Sequence, residues 1–161
     1  MPAIDLKNCE IAFLDGTSPT PQELVVKVAE GMIRWSEKRN RNYLLDRGEL
    51  DEVQEGDHVP MDVSLDLRYA YIVGDADITP VDFLKRVGNA ADYPSTDDDT
   101  CSEPATTIRI IHTPVCSDDK LEQVLLPDFR HESLDFDPKA ATISCSGRCN
   151  AREAITTRIA Q

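Results

Sequence analysis

From Met61 to Tyr71 the chain alternates without a fault. Met61, Val63, Leu65, Leu67, Tyr69 and Tyr71 are apolar, and Asp62, Ser64, Asp66 and Arg68 stand between them. Successive side chains of a strand point to opposite faces, so this pattern demands a long strand with one dry face and one wet, charged face. The residues before it, 42 to 58, are too acidic and too irregular for a core. They read as a solvated arm or hairpin leading into the strand. A long strand with an acidic wet face and a protruding arm suggests a subunit of an assembly rather than an enzyme with a pocket.

The length, 161 residues, fits one domain with one core. The formal charge of −13 argues against tight binding to nucleic acid or to an anionic membrane surface. It is compatible with a surface that lets DNA slide past. No apolar run approaches the roughly 20 residues needed to span a bilayer. The opening, MPAIDLKNCE, has no basic stretch followed by an apolar one, so no secretory signal is expected and folding in a cytoplasm is.

Residues 4–14 alternate with a phase change near Asn8 to Glu10, which predicts a strand with a bulge. DGTSPTPQ is turn chemistry. Residues 23–37 carry β-branched residues, Trp35 and an internal Gly31, and predict one long strand, with helix the alternative for the first half. TPVDFLKRVGNA gives the one clear helix, about 80–89: Thr79 is an N-cap, Pro80 fits the first helical position, and Asp82 completes a capping box. Residues 92–104 form an acidic loop. Strands follow at about 105–115, at 121–136 with a break at Pro127, and at 141–147, with 148–161 left as a basic tail. Six or seven strands and one helix predict a mainly β domain, an antiparallel β-sandwich or barrel with a packed α-helix and a long extended arm.

Catalytic constellations are missing. No G-x-S-x-G, H-E-x-x-H, P-loop or G-x-G-x-x-G occurs, and His58, His112 and His131 are scattered. An enzyme is not expected, nor a cofactor. Five cysteines (Cys9, Cys101, Cys116, Cys145 and Cys149) are many for a cytoplasmic chain. Cys145-x-x-x-Cys149 could join Cys101, Cys116 or His112 around zinc, but a paired C-x-x-C knuckle is absent. Cys145 shares parity with Ile143, where a lone thiol is a small buried hydrophobe. A Cys101–Cys116 disulfide is the other alternative.

Charge is segregated. Asp46 to Asp66 holds eight acids and one base, Arg47, whereas Arg34 to Arg41 holds four bases and one acid. Arg148, Arg152 and Arg158 make the tail basic. Separate patches of opposite sign suit a head-to-tail self-association. The basic residues Lys38, Arg39, Arg41, Arg148 and Arg152 are expected to meet the acidic arm or loop of a neighbouring copy.

Five segments resemble one family. They are W-x-E-K-R at Trp35 to Arg39, D-R-G-x-L-D-x-V-x-x-G-D at Asp46 to Asp57, P-M-D-V-S at Pro60 to Ser64, L-P-D-F-R at Leu126 to Arg130, and I-S-x-S-G-x-C-N-A at Ile143 to Ala151. This pattern is similar to the tail tube, or major tail, subunits of tailed bacteriophages. The resemblance implies a β-sandwich or barrel that closes into stacked homohexameric rings around a lumen, in the tail of a virion assembled in the bacterial cytoplasm. DNA would pass through without specific binding and no membrane would be involved. Sheath or tape-measure, terminator and baseplate proteins would be the other partners.

Under that reading Asp62, Ser64 and Asp66 face the channel. The arm, carried by Asp46, Arg47, Gly48, Leu50, Asp51, Val53, Gly56 and Asp57, reaches the next subunit, disordered or mobile in the monomer and ordered in the assembly. A different virion ring (neck or head–tail completion), a decoration protein, and a small cysteine-based metal module are the alternatives.

Overall fold

The structure is a computed structural model and describes residues 3–4, 6–26, 28–69, 74–99, 101–116 and 118–160. It is mainly β. The strands are β1 (Cys9–Leu14), β2 (Glu23–Val26), β3 (Val28–Ser36), β4 (Arg41–Asp46), β5 (Glu49–Glu55), β6 (Met61–Arg68), β7 (Thr106–His112), β8 (Leu121–Asp137), β9 (Thr142–Cys149) and β10 (Ile155–Ile159), with one α-helix, α1 (Pro80–Lys85). The main sheet runs β2-β1-β7-β8-β9-β6-β3, and all its ladders are antiparallel. β4 and β5 form a separate two-stranded sheet.

The run 23–37, expected as one strand, is two. β2 pairs with β1 at one end of the sheet, and β3 pairs with β6 at the other. Only one residue separates Val26 from Val28, and two Cα steps span at most about 8 Å. The two ends of the sheet therefore meet there, and the sheet is rolled into a barrel. Local pattern could not reveal this, because both pieces alternate equally well.

The barrel interior takes the odd residues of β6. Met61, Val63, Leu65 and Leu67 are buried, and Asp62, Ser64, Asp66 and Arg68 lie on the outer face. Tyr71 lies outside the described residues. Phe13, Ile108, Leu126, Phe129, Ile143, Cys145 and Cys149 complete the core. α1 covers it with Phe83 and Leu84, and Phe83 packs on Phe13 and Tyr93 with ring centroids 6.0 and 5.5 Å apart.

The helix begins as its sequence dictates. The Thr79 side chain accepts from the Asp82 backbone, and the Asp82 carboxylate accepts from the Thr79 backbone. It ends sooner than the expected residue 89, because Arg86 turns left-handed at φ 54°. The Arg86 side chain is buried, and its guanidinium donates to the carbonyls of Phe83, Tyr93, Pro94 and Ala105 and to the Thr106 hydroxyl. It ties the helix end to the loop and to β7.

Three further expectations change. The phase shift near Asn8 is a single 3-10 turn, Leu6–Asn8, ahead of β1. Pro127 does not break β8: Pro127 and Asp128 face the single residue Thr107, a bulge with Asp128 at φ 54°. The basic tail is not a tail. Arg148 and Cys149 belong to β9, and β10 pairs with the first half of β8, in line with β9.

A candidate assembly surface: the projecting hairpin and the polar outer face

The segment expected as a solvated arm or hairpin folds as a β-hairpin of β4 and β5. Arg47 and Gly48 both have positive φ, 54° and 85°, the two-residue turn that matches the twist of antiparallel strands. Arg41↔Glu55 down to Leu44↔Glu52 pair in register, Asp51 bulges, and Leu45↔Leu50 and Asp46↔Glu49 close the ladder. Tyr43 and Leu45 share a face, and their partners Val53 and Leu50 lie beside them. The four are 60%, 62%, 55% and 78% exposed in that order. No residue of either strand is buried. An isolated two-stranded hairpin is marginal in water, and this one offers a bare apolar face to whatever covers it.

Among the expected arm residues, Asp46, Arg47, Gly48, Leu50, Asp51 and Val53 lie in the hairpin. Gly56 and Asp57 lie at its root, where the Gly56 N–H donates to the Asn40 carbonyl at 2.7 Å.

The second surface is the outer face of β3, β6, β9 and the far half of β8. Asp62 stands opposite Arg148 and Ser36, Ser64 opposite Ser146 and Arg34, and Asp66 opposite Ser144, which faces Asp135. The three residues expected on a channel wall thus do share one face. A shallow concavity of about 550 Å3 crosses it, lined among others by Arg34, Asp62, Ser64, Glu132, Ser146 and Arg148.

This face is less acidic than its sequence implied. Asp62 is held between Lys38 Nζ at 2.6 Å and Arg148 Nε at 3.2 Å. The hydrogen bond from Lys38 holds its carboxyl below the usual range, helped by both cations. A mixed, hydroxyl-rich face results, in place of a uniform negative wall.

The expected basic contact residues find partners within the chain. Lys38 and Arg148 pair with Asp62, Arg39 with Glu153 at 2.7 Å, and Arg152 with Glu55. Arg41 faces Glu55 across the hairpin. Sequence reasoning missed Glu55, His58 and Glu153 in this arrangement. No local signal pointed to them, because their partners come from far along the chain.

Burial divides the cysteines. Cys145 and Cys149 are buried in the core, and burial pushes each thiol up to about 12. Cys101 and Cys116 are exposed, and the Cys101 thiol is free, so the alternative Cys101–Cys116 disulfide is not formed. Among the described residues no three His, Cys, Asp or Glu side chains converge as metal ligands would.

No family model matches the sequence, and no curated protein does. Solved structures that share the fold include two from injection-system particles. One belongs to the sheath/tube terminator of an extracellular contractile injection system, PVC, in its extended state. It matches with a TM-score of 0.56 and 12% identity, over 98% of this chain and 98% of that chain. The other belongs to the six-fold symmetrised baseplate of the anti-feeding prophage, AFP. It matches with a TM-score of 0.50 and 10% identity, over 98% of this chain and 96% of that chain. At such identity the likeness is one of fold.

Proposed function

We propose that this chain is a structural, ring-forming subunit of a phage-tail-like tube. Copies close into six-membered rings, the rings stack, and the tube is a conduit for DNA in a virion tail assembled in the bacterial cytoplasm. The observation that carries the reading is the hairpin Arg41–Glu55, whose face of Tyr43, Leu45, Leu50 and Val53 is bare on the isolated chain. Exposed apolar surface of this kind marks an interaction site. A hairpin of one copy that covers a different surface on the next makes a head-to-tail contact, and such contacts generate rings or filaments.

The supporting observation is a rolled barrel of the kind present in two injection assemblies, one of them six-fold symmetrised. In this reading Asp62, Ser64 and Asp66 line the channel. Ser144 and Ser146 beside them offer hydroxyls, and the cation pair around Asp62 is already spent on a carboxylate. With Lys38 and Arg148 engaged by Asp62, the face offers DNA phosphates a weakened positive field, so affinity stays low. Sheath or tape-measure, terminator and baseplate proteins are the partners along the tube and at its ends.

A terminating ring is the second reading, favoured by the likeness to a chain in a sheath/tube terminator structure. Negative-stain microscopy of the purified chain at high concentration separates them. Long tubes support the tube subunit, single rings support the terminator, and monomers at all concentrations overturn both.

A further inference from the structure

The hairpin makes its contacts with the barrel at its root, and two arginines dominate that root. The entering connector, 37–40, is held by Arg39. Its Nη1 donates to the Arg152 carbonyl at 3.1 Å, and its Nη2 meets Glu153 Oε2 at 2.7 Å. The end of β5 and the leaving connector, 56–60, are held by Arg152, which donates to the Glu55 carboxylate and lies 3.3 Å from His58 Nε2. Arg39 thus reaches from the root to the turn between β9 and β10, and Arg152 reaches from that turn back to the root.

Two bonds donated by backbone N–H groups accompany the pair. The Ala154 N–H donates to Glu37 Oε1 at 2.8 Å, and the Met61 N–H to the Ala151 carbonyl at 3.0 Å. The turn itself cannot wander. β9 ends at Cys149 in the core, β10 starts at Ile155, and both are paired to β8.

We infer that Arg39 and Arg152 are positioning residues that set the direction in which the β4–β5 hairpin leaves the barrel, by lashing both of its connectors to the β9–β10 turn. The inference rests on the reading of the hairpin as the element that reaches a neighbour. With every residue of β4 and β5 exposed, packing along the hairpin cannot fix its angle, so the root must. Guanidinium suits the task. Its rigid fork makes several bonds with defined directions, which an ammonium on a flexible stem does not. A single exposed pair is weak, but two reciprocal ones on connectors joined by the Gly56 to Asn40 bond constrain rotation as well as distance.

The test uses the monomer, so it does not depend on assembly. Spin labels are placed at the hairpin tip, Glu49→Cys, and on the barrel, Thr157→Cys, in a background of Cys9→Ala, Cys101→Ser and Cys116→Ser. Pulsed dipolar spectroscopy reads the width of the distance distribution. Arg39→Glu and Arg152→Glu should at least double the width, with the far-ultraviolet circular dichroism unchanged. The exchanged pairs, Arg39→Glu with Glu153→Arg and Arg152→Glu with Glu55→Arg, should restore at least half of the narrowing, which a merely structural loss would not allow. Should the reversals unfold, Arg39→Gln and Arg152→Gln serve the same purpose. Unchanged widths in both glutamine variants overturn the inference, whatever electron microscopy shows. Broadened widths with normal tubes uphold the hinge and remove the hairpin from the assembly proposed above.

Discussion

The guanidinium of Arg86 donates to the Thr106 hydroxyl at 3.0 Å in the barrel interior, from a left-handed residue at the end of the only α-helix among the described residues. It also satisfies the carbonyls of Tyr93, Pro94 and Ala105. Removing such a group leaves several buried acceptors without partners, each worth about 1–3 kcal/mol. Arg86→Ala should therefore lower unfolding free energy by about 3 kcal/mol or more, read by urea denaturation. A loss below about 1 kcal/mol would show that water replaces the clamp.

Gly147 is required by the close approach of β9 to β8. A Cβ there would stand 2.1 Å from the Arg130 carbonyl oxygen and 2.8 Å from the His131 Cα. Both obstacles are backbone, and the adjacent register shift between His131 and Ser133 leaves little slack. Overpacking of this kind costs about 1–3 kcal/mol, sometimes more. Gly147→Ala should lower the melting temperature of the monomer by several degrees, and an unchanged melting curve would refute the contact.

The apolar face of the hairpin should matter to assembly and not to the fold. Leu45→Ser with Leu50→Ser changes two exposed positions, and surface changes of this sort usually move stability within about 0.5 kcal/mol. The doubly substituted chain should melt like the parent and remain monomeric by sedimentation at concentrations where the parent assembles. Normal assembly of the variant would exclude this face from the interface.

Acid should loosen the hairpin root. The hydrogen bond from Arg152, followed by its charge, holds the Glu55 carboxyl below its ordinary value of 4.5. A carboxylate depressed in the folded state contributes stability above its unfolded pKa and loses it as pH falls through the folded value. Label separation between residues 49 and 157 should thus be narrow at pH 7 and broaden below about pH 4.5. In Glu55→Gln the neutral-pH width should already be broader, with a smaller further change on acidification. Identical acid responses in the two chains would place the titrating group elsewhere.

Thiol chemistry should divide the cysteines by burial. Cys145 and Cys149 sit in the core with thiols pushed up to about 12, so neither supplies thiolate at neutral pH. Cys101 and Cys116 are exposed. A disulfide reagent should label Cys101 within seconds and reach Cys145 and Cys149 only on unfolding, as mass spectrometry of the labelled peptides would read. Rapid native labelling of Cys145 would contradict its place in the core.

The amino-acid sequence by itself determined the features that need only a few neighbouring residues. The alternation of Met61 to Leu67 fixed which face of β6 is dry, because side-chain direction along a strand is local. Thr79, Pro80 and Asp82 fixed where α1 starts, because a cap is made within one turn. The position of Cys145 beside Ile143 was likewise enough to put it in the core. Only the tertiary structure decided that Val26 and Val28 lie at opposite ends of one sheet order. It alone decided that residues 155–159 are a strand, since β10 exists through its ladder with β8. It also decided that Arg39 finds Glu153 and Arg152 finds Glu55 within the same chain, where charge segregation along the sequence suggested a neighbour. An ion pair or a strand ladder between distant segments depends on how the sheet rolls, and the rolling is a sum over all its strands that no single stretch of sequence carries.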